Sequence, residues 1–239
     1  LDILNAVNEG GPLTTKFFNM GEITIAGCKA RTLSHGMGGQ QGLELWGPVE
    51  DGPAVKAALL AAGAAHGMRQ VGARAYAAAA AESGWVPSPL PAIYTGEAMK
   101  PYREWLSATS FEALASLGGS YVSDDVEDYY LTPWDLDYGR VVKFDHDFIG
   151  RAALEKIADG PHRRKMTRVW NPDDVAAIFR GLMDEGDLAP KHMEMPAAHY
   201  AAHPYDRVSL GGDMVGLSIT PAYSPGERAW ISLAILEPQ

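Results

Sequence analysis

Between Gly36 and Trp85 the hydrophobic period of the chain changes twice, and this limits the fold more than any other stretch. LELW at 43–46 alternates, which puts Leu43 and Leu45 on one face of a strand and Glu44 and Trp46 on the other. Gly47 and Pro48 end it. Asp51-Gly52-Pro53 then opens a helix with Pro53 at the favoured first position. AVKAALLAAGAAHG repeats apolar residues at helical spacing and stops at Gly67. Residues 72–82 are Ala-rich and helix-favouring, and Trp85 begins an extended segment after Ser83-Gly84. A carboxylate, two Trp and a Tyr therefore flank one helix in Gly-rich surroundings, and Glu44 reads as a buried acid. Such a set suits a flat, hydrogen-bonding heterocycle better than a phosphate or a metal.

The flanks extend this α+β reading. FFNMGEITIAGCKARTLS at 17–34 alternates around a turn at Gly27, which predicts a hairpin, and a strand-helix-strand unit of ferredoxin-like character is expected locally. PSPLPAIYTGE is Pro-rich loop, MKPYREWLSA a short helix, and SFEALASLGGSYVSDD has the spacing of another. VVKF reads as a strand and AALEKIA as a helix closed by Asp159-Gly160-Pro161. RKMTRVW reads as a strand, and Asn171-Pro172-Asp173-Asp174 caps the helix that follows. The tail RVSLGGDMVGLSITPAYSPGERAWISLAIL is three β segments, the first two joined through Gly-Gly-Asp. The change of character near 160–164 places a domain boundary there, giving 1–162 and 163–239.

Composition excludes several classes. The net charge of −10 and pI near 5.1 argue against nucleic acid, which needs clustered Lys and Arg. The basic run from His162 to Lys165 reads as a solvated turn. One cysteine, Cys28, rules out an internal disulfide. No apolar run reaches the roughly 20 residues that span a bilayer. These features give a soluble, cytoplasmic chain with no membrane partner; its start at Leu1 and its end on a strand-like ISLAILEPQ suggest a piece of a longer polypeptide.

Seven histidines (His35, His66, His146, His162, His192, His199 and His203) form no helical metal pair, and adjacent residues such as Asp145-His146-Asp147 point in alternate directions on an extended segment, so no metal is expected. Cys28 beside Lys29 is either a reactive thiol or a small buried one. GMGG at 36–39 lacks the helix start that a phosphate loop needs. Glu44 is either a solvated residue of an alternating strand or a carboxylate that accepts two N–H donors from an amino-pyrimidine ring. Trp85 and Tyr76 either stack on such a ring or belong to the core. Tyr129, Tyr130, Trp134 and Tyr138 read as packing.

Several of these motifs together resemble the tetrahydrofolate-dependent aminomethyltransferase (glycine-cleavage T-protein) family. GLELWGP is similar to its TGE-G-E-aliphatic strand, VGARAYAAAAAESGW to its GARD-T-LRLE segment, and TPWDLDYGRVVKFDHDFIGRAAL to its TP-E-GLGW-VKF-K-FIGR-AL signature. The tail DMVGLSITPAYSPGERAWISLAIL resembles the C-terminal pattern G-VG-TS-SP-L-IALA. FFNMGEITIAG, HGMGG and ESGWVPSPLPAIYTGEAMKPYREWL look like the O-demethylase subgroup acting on vanillate, 3-O-methylgallate or syringate. Ala75 stands where the family has the Asp of GARD, which argues against glycine-cleavage chemistry.

The resemblance implies a folate-binding aminomethyltransferase-like fold, a ferredoxin-like α/β part plus a C-terminal β-barrel-like domain, truncated at both ends. It implies methyl transfer from an aryl methyl ether to N5 of tetrahydrofolate, within one-carbon metabolism and the catabolism of lignin aromatics. Residue by residue it implies Tyr76 as catalytic donor or orienter, Glu44 holding the pterin, Trp85 packing on the folate and Arg74 pairing with a carboxylate. A non-catalytic folate-binding protein of the same fold, or a demethylase for dimethylsulfoniopropionate or a methylated amine, would carry the same motifs.

Overall fold

A computed structural model describes residues 1–37, 40–186, 188–193 and 202–238. The chain divides into two compact units, Leu1–Ala79 and Ala80–Gln239. Among the described residues no helix is long and apolar enough to cross a membrane.

The first unit has α1 (Asp2–Val7), β1 (Met20–Ile25), β2 (Cys28–Met37), β3 (Gln40–Trp46) and α2 (Gly52–Gly63), and α3 (Ala73–Glu82) starts in it. The three strands form an antiparallel meander in sequence order. Ala26 and Gly27 turn β1 into β2 with φ of +52° and +74°. Left-handed geometry at both positions matches the twist of the flanking strands. The register sets Ile23 against Ala30 and Thr32 against Leu45. That face is buried: Ile23, Ile25 and Ala30, with Leu45, meet Leu4 and Val7 of α1 and Val55, Ala58 and Leu59 of α2. Period-2 alternation sends Met20, Arg31, Leu33, His35, Glu44 and Trp46 to the other face. The local expectation of a strand-helix-strand unit is corrected here. Three hairpin-linked strands precede the helix, and among the described residues no strand after α2 joins their sheet. Gly38 and Gly39 of the GMGG motif lie outside the described residues.

The second unit continues with α4 (Lys100–Trp105), α5 (Phe111–Leu114), β4 (Ser116–Gly118), α6 (Arg151–Ile157), β5 (Arg164–Val169) and α7 (Pro172–Gly181). It ends with β6 (Ala202–Pro204), β7 (Asp206–Leu210), β8 (Asp213–Ser224) and β9 (Ala229–Leu236). Its main sheet is antiparallel in the order β5-β9-β8-β7. Gly211 and Gly212, at φ +63° and +100°, make the expected turn between β7 and β8. Asn171 caps α7, its side chain accepting from the Asp173 N–H at 2.8 Å.

Leu217 and Ile219 of β8 and Leu233 and Ile235 of β9 form the core with Val86, Leu90, Tyr129 and Tyr205. Tyr129, expected as packing, is 3% exposed and accepts a 3.0 Å hydrogen bond from the Tyr205 hydroxyl at its carbonyl.

Three local expectations are corrected. Helix α5 is only one turn, because Ser116–Gly118 leaves it to pair in parallel with β6. VVKF is not a strand: Gly139–Val141 is a tight helical turn, and among the described residues no strand offers the rest a ladder. Asp145 and His146 do not diverge either, since Nδ1 lies 2.7 Å from Oδ1. The boundary expected at 162/163 falls inside the second unit, where Arg163 reaches back to Asp135.

Candidate functional site

The face of the β1–β2–β3 sheet turned away from α1 and α2 carries Glu44. The ladder places Leu33 directly opposite it, with Arg31 and His35 as the two diagonal neighbours. Glu44 turns toward His35: Oε1 lies 3.9 Å from Nε2, and the two side chains are 53% and 28% exposed. The expectation of a buried acid is thus corrected. Leu43 and Leu45 take the inward positions, and strict alternation puts the carboxylate between them on the open side.

Aromatic rings border this carboxylate. Phe18 meets the His35 ring edge-on, with centroids 5.6 Å apart and planes at 85°. Phe17 packs on Phe18 at 5.2 Å. Phe17 and Phe18 are more than half exposed, and Trp46 nearly so. Among the described residues no protein donor lies at hydrogen-bond distance from the Glu44 carboxylate, and an acceptor-only group set among apolar and aromatic surfaces can receive N–H groups from a planar ligand.

Arg74 and Tyr76 stand near the start of α3, both exposed, Tyr76 by 47%. Two residues apart on a helix, they do not share a face. Their joint action on one ligand atom is therefore not built into the helix. Trp85 belongs to the second unit and is half-buried. Its position follows from how α3 ends. Gly84 is left-handed at φ +73°, its N–H donates to Ala81 O at 3.1 Å, and the Trp85 N–H donates to Ala80 O at 2.9 Å. This double closure satisfies the last helical carbonyls and fixes where the chain leaves. Of the four expected site residues, Glu44, Arg74 and Tyr76 lie in one unit and Trp85 in the other.

The remaining candidates do not make a competing site. The Cys28 thiol is pushed up by burial, then by the carboxylates of Asp51 and Glu9, so it is held as a thiol. Among the described residues no three His, Cys, Asp or Glu side chains are grouped to hold an ion. His199 lies outside the described residues, and His203 is in β6 and buried. Sequence reasoning missed His35 and Phe18 as neighbours of Glu44. The signal was available in the hairpin register, since pairing Met37 with Gln40 makes 35 and 44 diagonal partners.

No family model matches the chain. It is 46% identical over 228 residues to a syringate O-demethylase of Sphingobium sp., covering 95% of this chain and 49% of that protein. It is 30% identical over 230 residues to a sesamin methylene transferase of Sinomonas sp., covering 90% of this chain and 50% of that one. An aminomethyltransferase of Saccharopolyspora erythraea is 27% identical over 239 residues, 99% of this chain and 49% of its own length. The chain spans about half the length of the curated relatives it matches. With a syringate O-demethylase, a sesamin methylene transferase and an aminomethyltransferase all matching along nearly its whole length, the chain belongs to the aminomethyltransferase (glycine-cleavage T-protein) family and is similar to its O-demethylase subgroup.

Proposed function

We propose that this chain is part of a tetrahydrofolate-dependent O-demethylase that moves a methyl group from a methoxy-aromatic acid to N5 of tetrahydrofolate. The observation that carries the reading is the 46% identity to a syringate O-demethylase over 95% of the chain. The open carboxylate of Glu44, bordered by Phe18 and His35, fits the edge of an amino-pyrimidine ring in the chemistry of its donors and acceptors. The strand meander of the first unit and the antiparallel sheet of the second suit a folate-binding α+β portion followed by a C-terminal barrel-like domain.

Tetrahydrofolate, when bound, supplies N5 as the methyl acceptor. The protein's part is mainly alignment, because holding the reacting atoms in line makes a two-molecule reaction effectively unimolecular. In this reading Glu44 accepts the N–H donors of the pterin, Trp85 covers its ring and Arg74 pairs with a carboxylate of folate or substrate. When the methyl–oxygen bond breaks, the ether oxygen keeps the electron pair, and Tyr76 holds a proton or hydrogen bond at that oxygen.

Incubation with tetrahydrofolate and syringate, with vanillate as second donor, tests the proposal by the appearance of 5-methyltetrahydrofolate and the matching phenol. Micromolar folate binding without turnover in the full-length polypeptide would make this a folate-binding protein instead. The likeness to a sesamin methylene transferase supports one second reading, transfer of a methylene group, for which 5,10-methylenetetrahydrofolate would be the product.

A further inference from the structure

The chemistry proposed above leaves His35 without a part, although it is the side chain that Glu44 faces. Glu44 has two charged or chargeable diagonal neighbours, Arg31 and His35. Among the described residues its Oε1 lies 3.9 Å from His35 Nε2, and it makes no ion pair with Arg31. Because a carboxylate only accepts, the ring nitrogen turned toward it carries the proton, which is Nε2. Nδ1 is then a bare acceptor. It is buried with no hydrogen-bond partner among the described residues, and an orphaned acceptor is better tolerated than an orphaned N–H.

The imidazole is also held in place. Phe18 stands edge-on to it at 5.6 Å, and Phe18 itself has φ of +61°, a costly conformation for a bulky residue. Three hydrogen bonds impose that conformation: Phe18 N–H to Ser34 O at 2.7 Å, Ser34 N–H to Asn19 O at 3.0 Å, and the Asn19 side-chain amide to Phe17 O at 3.0 Å. The strand that carries His35 thus also fixes the ring that backs it.

We infer that His35 is a positioning residue for Glu44: its Nε2–H aims the carboxylate along the open sheet face while leaving the carboxylate free to accept a ligand. The 3.9 Å separation is longer than a direct hydrogen bond, so the neutral ring's N–H points at the carboxylate without saturating it. Glu44 is therefore biased in direction without being used up. The inference rests on the reading that Glu44 receives the N–H groups of the pterin.

Two measurements on the 239-residue chain separate the two ideas. Long-range proton–nitrogen NMR of the ligand-free protein should show His35 as the Nε2–H tautomer, and Glu44→Leu should abolish that preference. An Nδ1–H tautomer in the native protein, or a preference unchanged in Glu44→Leu, overturns the inference whatever the function. Tetrahydrofolate titration then reads the role in binding. His35→Phe should weaken affinity about tenfold and His35→Gln, which keeps a donor, should restore it to within about threefold. If Glu44→Gln lowers affinity and His35→Phe does not, His35 has no positioning role. If Glu44→Gln binds like the native chain, the pterin reading fails and the tautomer result alone decides the His35–Glu44 contact.

Discussion

Arg163 grips Asp135 with two nitrogens, Nε to Oδ1 at 3.0 Å and Nη2 to Oδ2 at 2.9 Å, and ties the start of the main sheet of the second unit to the loop at 130–138. Asp135 is 4% exposed and also accepts from the N–H and hydroxyl of Thr132 at 2.8 and 2.9 Å. Arg163 adds a bond to Tyr130 O at 3.3 Å. A paired, saturated charge of this kind costs most when one partner is removed, about 3–5 kcal/mol. Arg163→Met should destabilise the protein by about 3 kcal/mol, read from the urea midpoint at unchanged slope. A loss under about 1 kcal/mol would mean that the loop relaxes and rehydrates Asp135.

Gly84 gives a smaller and more local prediction. A Cβ at this position would meet only Lys165 Cε at 3.9 Å, an ordinary contact, so space is not the issue. The φ of +73° is, and an L-residue there costs about 1–2 kcal/mol. Gly84→Ala should lower stability by about 1 kcal/mol and shift the near-ultraviolet signature of Trp85, whose N–H closes the helix on Ala80. Destabilisation without any change at Trp85 would separate the helix end from the tryptophan.

His203 predicts a loss of stability in acid. Burial pushes its pKa down, opposed in part by a backbone hydrogen bond with Ser88, so the folded protein favours the neutral ring. The unfolded chain takes up a proton near its ordinary value of about 6.5. The folded pKa is the lower one, so the stabilising preference is fully present above pH 6.5 and is lost as pH falls toward the folded value. Among the described residues Nε2 is buried without a partner, so none of them offers an acceptor for the added proton. His203→Leu should flatten the stability profile between about pH 6.5 and 5; an unchanged slope there would assign the acid loss to other groups.

The strands β1, β2 and β3 and the helix α2 were legible from residues 17–67, because each change of period is bounded by a turn residue: Gly27, the Gly47-Pro48 pair, Pro53 and Gly67. The same alternation that located β3 also dictated that Glu44 faces outward, and only its apolar neighbours suggested burial. What could not be read locally depended on distant partners. Ser116–Gly118 looked helical, yet it pairs with a strand some 86 residues later. VVKF had the composition of a strand and lacks a ladder. The boundary expected at 162/163 followed a change in composition, whereas Arg163 and Asp135 bind the two sides together. Glu44, Tyr76 and Trp85 drew notice through residue type and resemblance; His35 needed the register.

Glu44 separates binding from stability. Its side chain is 53% exposed, so Glu44→Ala should leave the unfolding midpoint within about 0.5 kcal/mol of native. Each charged hydrogen bond lost to a bound pterin is worth roughly 1.5–3 kcal/mol. Two such bonds would remove measurable tetrahydrofolate binding by titration calorimetry. Native affinity in Glu44→Ala would take this carboxylate out of the site.

Tyr76 distinguishes a chemical role from a packing role. It is 47% exposed on α3, so removing one hydroxyl leaves no cavity, and Tyr76→Phe should fold and bind tetrahydrofolate as the native protein does. Proton or hydrogen-bond donation to a leaving phenolate oxygen contributes about 10²–10⁴-fold to rate. Turnover of syringate by the full-length polypeptide should therefore fall by about 100-fold in Tyr76→Phe, in kcat rather than KM, because the interaction strengthens as charge develops on the oxygen. The effect should shrink for donors whose phenolate is a weaker base, since such a leaving group needs less help. Equal loss across donors of different basicity would point to orientation of the substrate, and an unchanged rate would leave Tyr76 as a surface residue of the helix.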